Sequence, residues 1–114
     1  PYQFRRPLLA KKTKDLGVLD AVAKAAGWGQ PLPKGVFRGI ALSDSYGSYT
    51  AAVVELSVKD GTVIDVHRVV VAIDPGHIVH PDAVKAQIES GVVWALSMVM
   101  YEEITIKDGR VEQS

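Results

Sequence analysis

The stretch Tyr49–Ile73, YTAAVVELSVKDGTVIDVHRVVVAI, decides the fold. Val54, Leu56 and Val58 alternate with Glu55, Ser57 and Lys59, so successive side chains sort onto two faces, the pattern of a half-buried strand. Asp60-Gly61 follows, a pair that accepts the positive φ angles of a tight hairpin turn. The return strand, Thr62 to Ile73, alternates around Ile64 and Val66 and is then apolar at every position from Val69 to Ile73. A strand that is apolar on both faces calls for cover on both. The distal half of the hairpin is therefore expected to lie between two layers, one of them supplied by other parts of a longer protein.

Upstream, Leu16, Leu19, Val22, Ala23 and Ala26 recur at helical spacing and predict a helix over Asp15–Ala26. Asp15 is the expected N-cap, Gly27 the left-handed residue that ends the helix, and Trp28 a side chain folded back over that end. The two prolines and two glycines of Gly29–Gly35 predict a loop, and Gly39–Leu42 a short strand running into the polar stretch Ser43–Ser48. Arg5, Arg6, Lys11, Lys12 and Lys14 make the first 14 residues basic, a pattern read as a solvated lead-in or the remnant of a preceding helix.

Downstream, Asp74-Pro75-Gly76 breaks the strand and His80-Pro81-Asp82 opens a second helix, with Pro81 at its first position. Val84, Ile88, Gly91, Val92, Ala95 and Val99 step along one face; Val93, Leu96 and Met100 widen it until little polar surface remains. A helix of that kind is expected to be central, ending near Tyr101. Glu103–Lys107 predicts a further strand and Asp108-Gly109 a second tight turn towards Arg110-Val111. The order predicts an α+β domain, a mainly antiparallel twisted sheet with two helices packed on it. Residues 1–35 form the lead-in, helix and Pro/Gly loop, and residues 36–114 the sheet and central helix.

The 114 residues hold 13 basic and 13 acidic side chains, which gives no electrostatic reason to track nucleic acid or anionic membrane. An apolar fraction of 47% excludes a disordered segment. The absence of cysteine excludes disulfides, thiolate metal sites and a cysteine nucleophile, and leaves the compartment, cytoplasmic or periplasmic, open. The longest strongly apolar run, Gly91–Tyr101, is too short to span a bilayer. Both ends of the sequence read as cuts inside a longer polypeptide.

Ser48, His67 and Asp74 supply the residue types of a nucleophilic triad, but no G-x-S-x-G elbow accompanies them. His67, flanked by Asp65 and Arg68, reads more simply as a surface histidine beside a carboxylate. His77 and His80, near Asp74 and Asp82, have the types of a metal site without its usual spacing, so a loop-and-cap role is favoured. Glu102 and Glu103 are adjacent and point in different directions. No phosphate-binding glycine loop is present. Gln87-Ile88-Glu89-Ser90-Gly91 is harder to explain by packing, because it places polar groups and a glycine inside an otherwise apolar helix. An amide there needs partners for one acceptor and two donors, and either the edge of a heterocycle or a neighbouring backbone segment supplies them. Gly91 costs about 1 kcal/mol against Ala in mid-helix, which close approach of another group would explain.

Asp74-Pro75-Gly76-His77-Ile78-Val79-His80-Pro81, Ala86-Gln87-Ile88-Glu89-Ser90-Gly91 and Ala95-Leu96-Ser97 together resemble the large subunit of xanthine oxidase-type molybdenum hydroxylases. The pattern is most similar to the isoquinoline 1-oxidoreductase beta subunit and aldehyde-oxidising relatives. The run Val18–Ala41, the strand entry Gly47-Ser48-Tyr49 and the closing Asp108–Ser114 extend the likeness over nearly the whole chain. His80 stands where the family commonly has Asn; Ala95 and Glu102 stand where it has Gly, and Ser90 where many members have Gly and the isoquinoline-type relatives often have Ser.

The resemblance implies a parent enzyme that hydroxylates N-heterocycles or oxidises aldehydes with water as the oxygen source. Its cofactor would be molybdopterin, carrying cytidine dinucleotide in bacterial members, and its electrons would leave through a small subunit with two [2Fe–2S] clusters. It makes Gln87 a hydrogen-bonding partner of the pterin, with Ala86 to Gly91 as a wall of the cleft. It places the catalytic Glu beyond Ser114, so the segment by itself is expected to be inactive and to carry no cofactor. The alternative is a non-enzymatic α+β interaction module that buries its apolar helix and strand against a partner. In isolation the segment is also expected to self-associate.

Overall fold

The computed structural model describes residues 1–113, which fall into two compact units, Pro1–Ile78 and Val79 onwards. The first unit holds helices α1 (Tyr2–Leu8) and α2 (Thr13–Ala25) and an antiparallel sheet of β1 (Val36–Ser45), β2 (Ser48–Lys59) and β3 (Val63–Asp74), in the order β1-β2-β3. The second holds α3 (Pro81–Tyr101) and a small hairpin of β4 (Ile106–Lys107) and β5 (Arg110–Val111). The chain is α+β, as its pattern predicts.

The sheet is a meander whose turns follow from local chemistry. Asp60 and Gly61 both have positive φ, 50° and 74°, in the three-residue loop between the paired Lys59 and Val63. Asp108-Gly109 makes the equivalent tight turn between β4 and β5. A third tight turn, Tyr46-Gly47, joins β1 to β2 and lies inside the polar, Gly-containing stretch Ser43–Ser48. It allows β1 to run ten residues instead of four, pairing Val36 with Ser57 through Ser45 with Ser48. The strand expected over Glu103–Lys107 shrinks to Ile106–Lys107. Above it the backbone of Thr105 bonds the side chain of Gln113 and the backbone of Glu112.

α2 covers one face of the sheet. Leu19, Val22 and Val53 are fully buried, and Val18, Ala23, Ala26, Ile40 and Ala51 complete the core. On β2 the covered positions are thus Ala51 and Val53, in line with Glu55; Val54 and Leu56, on the other face, are only half-buried and Val58 is exposed. The small Ala51 next to Val53 lets the helix approach closely. Within the first unit, the opposite face of Phe37, Val54, Leu56, Val69, Val71 and Ile73 has no covering element, and Phe37 is 61% exposed. Within the first unit the doubly apolar end of β3 is therefore covered once, by α2.

The ends of α2 differ in their caps. Its N-terminus begins two residues before the expected cap: Lys12 is N-cap without a side-chain bond, and Asp15 sits buried in the first turn, where a carboxylate favours the helix dipole. At the C-terminus Gly27, at φ 64°, donates to the Lys24 carbonyl and Trp28 to the Ala23 carbonyl, the paired bonds of a Schellman motif. Trp28 then packs back on the core, as expected.

Two arginines complete that end. Arg38 donates to the Gly27 carbonyl at 2.8 Å and to Glu55 Oε1 at 3.0 Å, and Arg68 donates to the Ala25 carbonyl at 3.0 Å. The Arg38 and Glu55 side chains are only 10% and 13% exposed. The basic lead-in is also structured. Arg6 clamps Asp20 with two nitrogens, at 2.9 and 2.8 Å, and the Tyr2 hydroxyl donates to the same carboxylate at 2.8 Å.

α3 carries no buried residue, in contrast to the covered helix its composition predicts. Val84, Ile88, Val92 and Leu96 are half-buried, while Val93, Trp94, Val99 and Tyr101 are more than two-thirds exposed. Its apolar perimeter is a demand for cover that the described residues leave unmet.

Two predictions follow from these contacts. Glu55→Ala strands Arg38 half-buried without its counter-charge and should cost about 3 kcal/mol in urea denaturation, more than any exposed ion pair of the chain. Arg6 holds the Asp20 carboxyl below the usual carboxylate range. This pair therefore stabilises α1 docking above the ordinary aspartate pKa and loses its effect as pH falls through the depressed one. Emission of Trp28, which packs against Tyr2 at 6.5 Å, should report an acid transition in a Trp94→Phe background that Asp20→Asn abolishes.

Candidate functional site

The polar interruption of α3 places Gln87, Ser90 and Gly91 on an exposed stretch of the helix. His80 caps the helix, its Nδ1 accepting from the Ala83 backbone at 3.1 Å, and Pro81 occupies the first turn, where a missing N–H costs nothing. Gln87 follows in the second turn. Residues three, four and seven positions on, Ser90, Gly91 and Trp94, lie on its side of the helix, and Ala86 stands one turn before Ser90.

Gln87 is exposed, and among the described residues its amide makes no hydrogen bond. The alternative of a glutamine bonded to neighbouring backbone is thus not realised within the described chain. A Cβ at Gly91 would meet nothing within 4 Å. The glycine accordingly leaves open space on the Gln87 side rather than admitting another segment of this chain. Ser90, Trp94 and Ala86, with Glu89, Val93 and Ser97, line a shallow depression beside it. Trp94 was not singled out in the sequence, though its seven-residue spacing from Gln87 carried the signal.

This surface combines a free amide with two donors and one acceptor, a hydroxyl, an indole and a gap left by glycine. Such a set fits the edge and face of a flat heterocycle with mixed donors and acceptors. Ala86, Gln87 and Gly91 could hold such a group between them.

The other candidates come apart. Asp74 pairs with Tyr49 at the end of the sheet where Ser48 enters β2. His67 lies seven residues back along β3, roughly 23 Å at about 3.3 Å per residue. Its Nε2 bonds the Ser57 hydroxyl at 2.8 Å, rather than a flanking carboxylate. Asp65 pairs instead with Lys59, which lowers its pKa. Glu102 ends α3 as its C-cap. Among the described residues no group of three or more His, Asp or Glu is placed to hold a metal ion. Lys14 sits over the Tyr49 ring, 5.4 Å from its centre, so this part of the basic lead-in packs on its own domain.

The molybdopterin cofactor-binding domain family matches residues 19–114, and the chain belongs to that family. It is similar to the isoquinoline 1-oxidoreductase subunit beta of Brevundimonas diminuta, at 28% identity over all of this chain and 15% of the relative. It is similar also to a membrane-bound aldehyde dehydrogenase (pyrroloquinoline-quinone) of Gluconacetobacter polyoxogenes, at 28% identity over 96% of this chain and 17% of the relative. The chain thus spans about a sixth of the length of these relatives. No solved structure matches it significantly. No helix among the described residues is long and apolar enough to cross a membrane.

The open space at Gly91 sets a testable expectation. With nothing near its Cβ, Gly91→Ala should leave the fold intact and raise stability by up to about 1 kcal/mol in thermal melts of this chain.

Proposed function

We propose that this chain is part of the molybdenum cofactor-binding large subunit of an oxidoreductase that hydroxylates N-heterocycles or oxidises aldehydes, taking oxygen from water. The observation that carries the reading is the unpartnered amide of Gln87 beside the space left by Gly91, in a chain of the molybdopterin-binding family. Gln87 would hydrogen-bond the pterin edge, Gly91 would admit it, and Ala86 would contribute to the wall. The bound group supplies the oxygen-transfer and redox chemistry; these residues supply orientation. The names of the two relatives support the two substrate classes, one N-heterocyclic and one an aldehyde.

The same reading gives the cofactor as the cytidine dinucleotide form and the partners as a small [2Fe–2S] subunit and the rest of a longer large subunit. The uncovered apolar perimeter of α3 and the open sheet face favour that last partner, since both require cover. With the catalytic Glu assigned to another segment, the 114 residues alone would be inactive.

Elemental analysis of the full-length polypeptide that carries this segment, purified with its small partner, tests the reading. Near-stoichiometric molybdenum with iron is expected; metal-free protein from a host that makes the cofactor would sink it and leave an interaction module. In the loaded protein, Gln87→Ala should lower cofactor retention and activity while leaving the melting temperature almost unchanged. An equal fall in stability would make Gln87 a structural residue only.

A further inference from the structure

β3 is an edge strand without the usual protection. The sheet ends at it, and its outer backbone groups have no partner strand among the described residues. Natural edges are blunted by charges, prolines or bulges. β3 has these in its first half, where Asp65, His67 and Arg68 lie and where the register shifts at Glu55/Leu56, and again at its last residue, Asp74, before Pro75. From Val69 to Ile73 the edge is plain and apolar.

We propose that two copies of this chain associate through that edge, β3 against β3, to form a continuous six-stranded antiparallel sheet with its two-fold axis at Val71. The register is fixed by the chain's own chemistry. Opposed residues of an antiparallel pair share a face, so the sum of their numbers must be even to keep the α2-covered side continuous. With Val71 opposite Val71, Val70 meets Ala72 on the covered face and Val69 meets Ile73 on the open one. One step further out, Arg68 of each copy meets Asp74 of the other. Moving the axis by one residue either way opposes Arg68 to Ala72 or to Gly76 and loses both ion pairs.

Both charged groups have capacity for the contact. The Arg68 side chain is 48% exposed beyond its bond to the Ala25 carbonyl and its approach to Glu55 at 3.7 Å, and Asp74 uses Oδ1 for the Gly76 backbone. Cross-strand pairs of opposite charge favour one register and penalise others.

The helix layer admits the same arrangement. α2 lies over β2 and β3, and along the β3 side of it runs a groove of about 350 Å³ lined by Gly17, Val18, Ala21 and Ala72 to Asp74. At a strand spacing of about 4.8 Å, pairing at β3 places the two α2 axes roughly 10 Å apart for a helix centred between β2 and β3 and roughly 14 Å apart for one centred on β2. The near end of that range is ordinary helix-packing distance, and the exposed small residues Gly17 and Ala21 face the gap.

The lack of native cysteine makes the register directly measurable. Sedimentation of the 114-residue chain at high micromolar concentration should give twice its 12.3 kDa mass. Val71→Cys should then form a disulfide-linked dimer under mild oxidation, because residues opposed across the axis have Cα atoms about 5 Å apart. Val69→Cys, displaced from the axis, should not. Asp74→Arg should weaken the dimer about tenfold. Ala21→Arg, on an exposed position, should abolish it while circular dichroism stays native. A monomer at all concentrations overturns the proposal. So does a dimer insensitive to Asp74→Arg and Ala21→Arg but broken by Phe37→Ser, which would mean pairing through the open sheet face.

Discussion

The charged knot of Arg38, Glu55 and Arg68 at the C-terminus of α2 is the constraint on which the first unit depends. A helix end presents carbonyls without intrahelical partners and the negative end of the dipole. Here two guanidiniums, one from each outer strand, reach the Gly27 and Ala25 carbonyls, and Glu55 on the central strand balances them. One cluster thereby ties all three strands to a single helix end. Its net energy is smaller than its contacts suggest, because desolvating charges offsets much of their attraction. What it fixes is position. Displacement of α2 along the sheet would separate buried charges, while Leu19, Val22 and Val53 supply the apolar stabilisation.

The same cluster shows why parts of the fold were legible in the sequence and parts were not. The Asp60-Gly61 turn, the ending of α2 at Gly27 and the opening of α3 at His80-Pro81 are local decisions. A dipeptide's φ preference or a missing N–H settles each of them, and the structure agrees. Which face of β2 is covered is a tertiary decision. Val54, Leu56 and Val58 form the more apolar row, yet α2 lies over Ala51 and Val53, where Glu55 stands ready for the arginines. The Tyr46-Gly47 turn escaped because tyrosine carries no turn signal, although its left-handed φ of 49° makes β1 more than twice its expected length.

For the candidate site, residue type was legible and environment was not. An amide and a glycine interrupting an apolar helix mark Gln87 and Gly91 in the sequence, and the structure leaves both exposed. Exposure could not be read from periodicity. A helix apolar almost all round belongs in an interior, and α3 has the composition of one while the described residues bury none of it. A binding surface assembled from several segments has this signature in each segment separately.

The position of α2 in the chain also bears on how the domain is made. Sequential synthesis releases α2 before any of the three strands it covers, and each strand then pairs with its immediate predecessor. The sheet therefore grows by short loops against a helix already available, and the Ala51–Val53 face need never wait in water as a finished apolar surface. The opposite face meets no such helix during the synthesis of residues 1–78, so it stays wetted while they emerge.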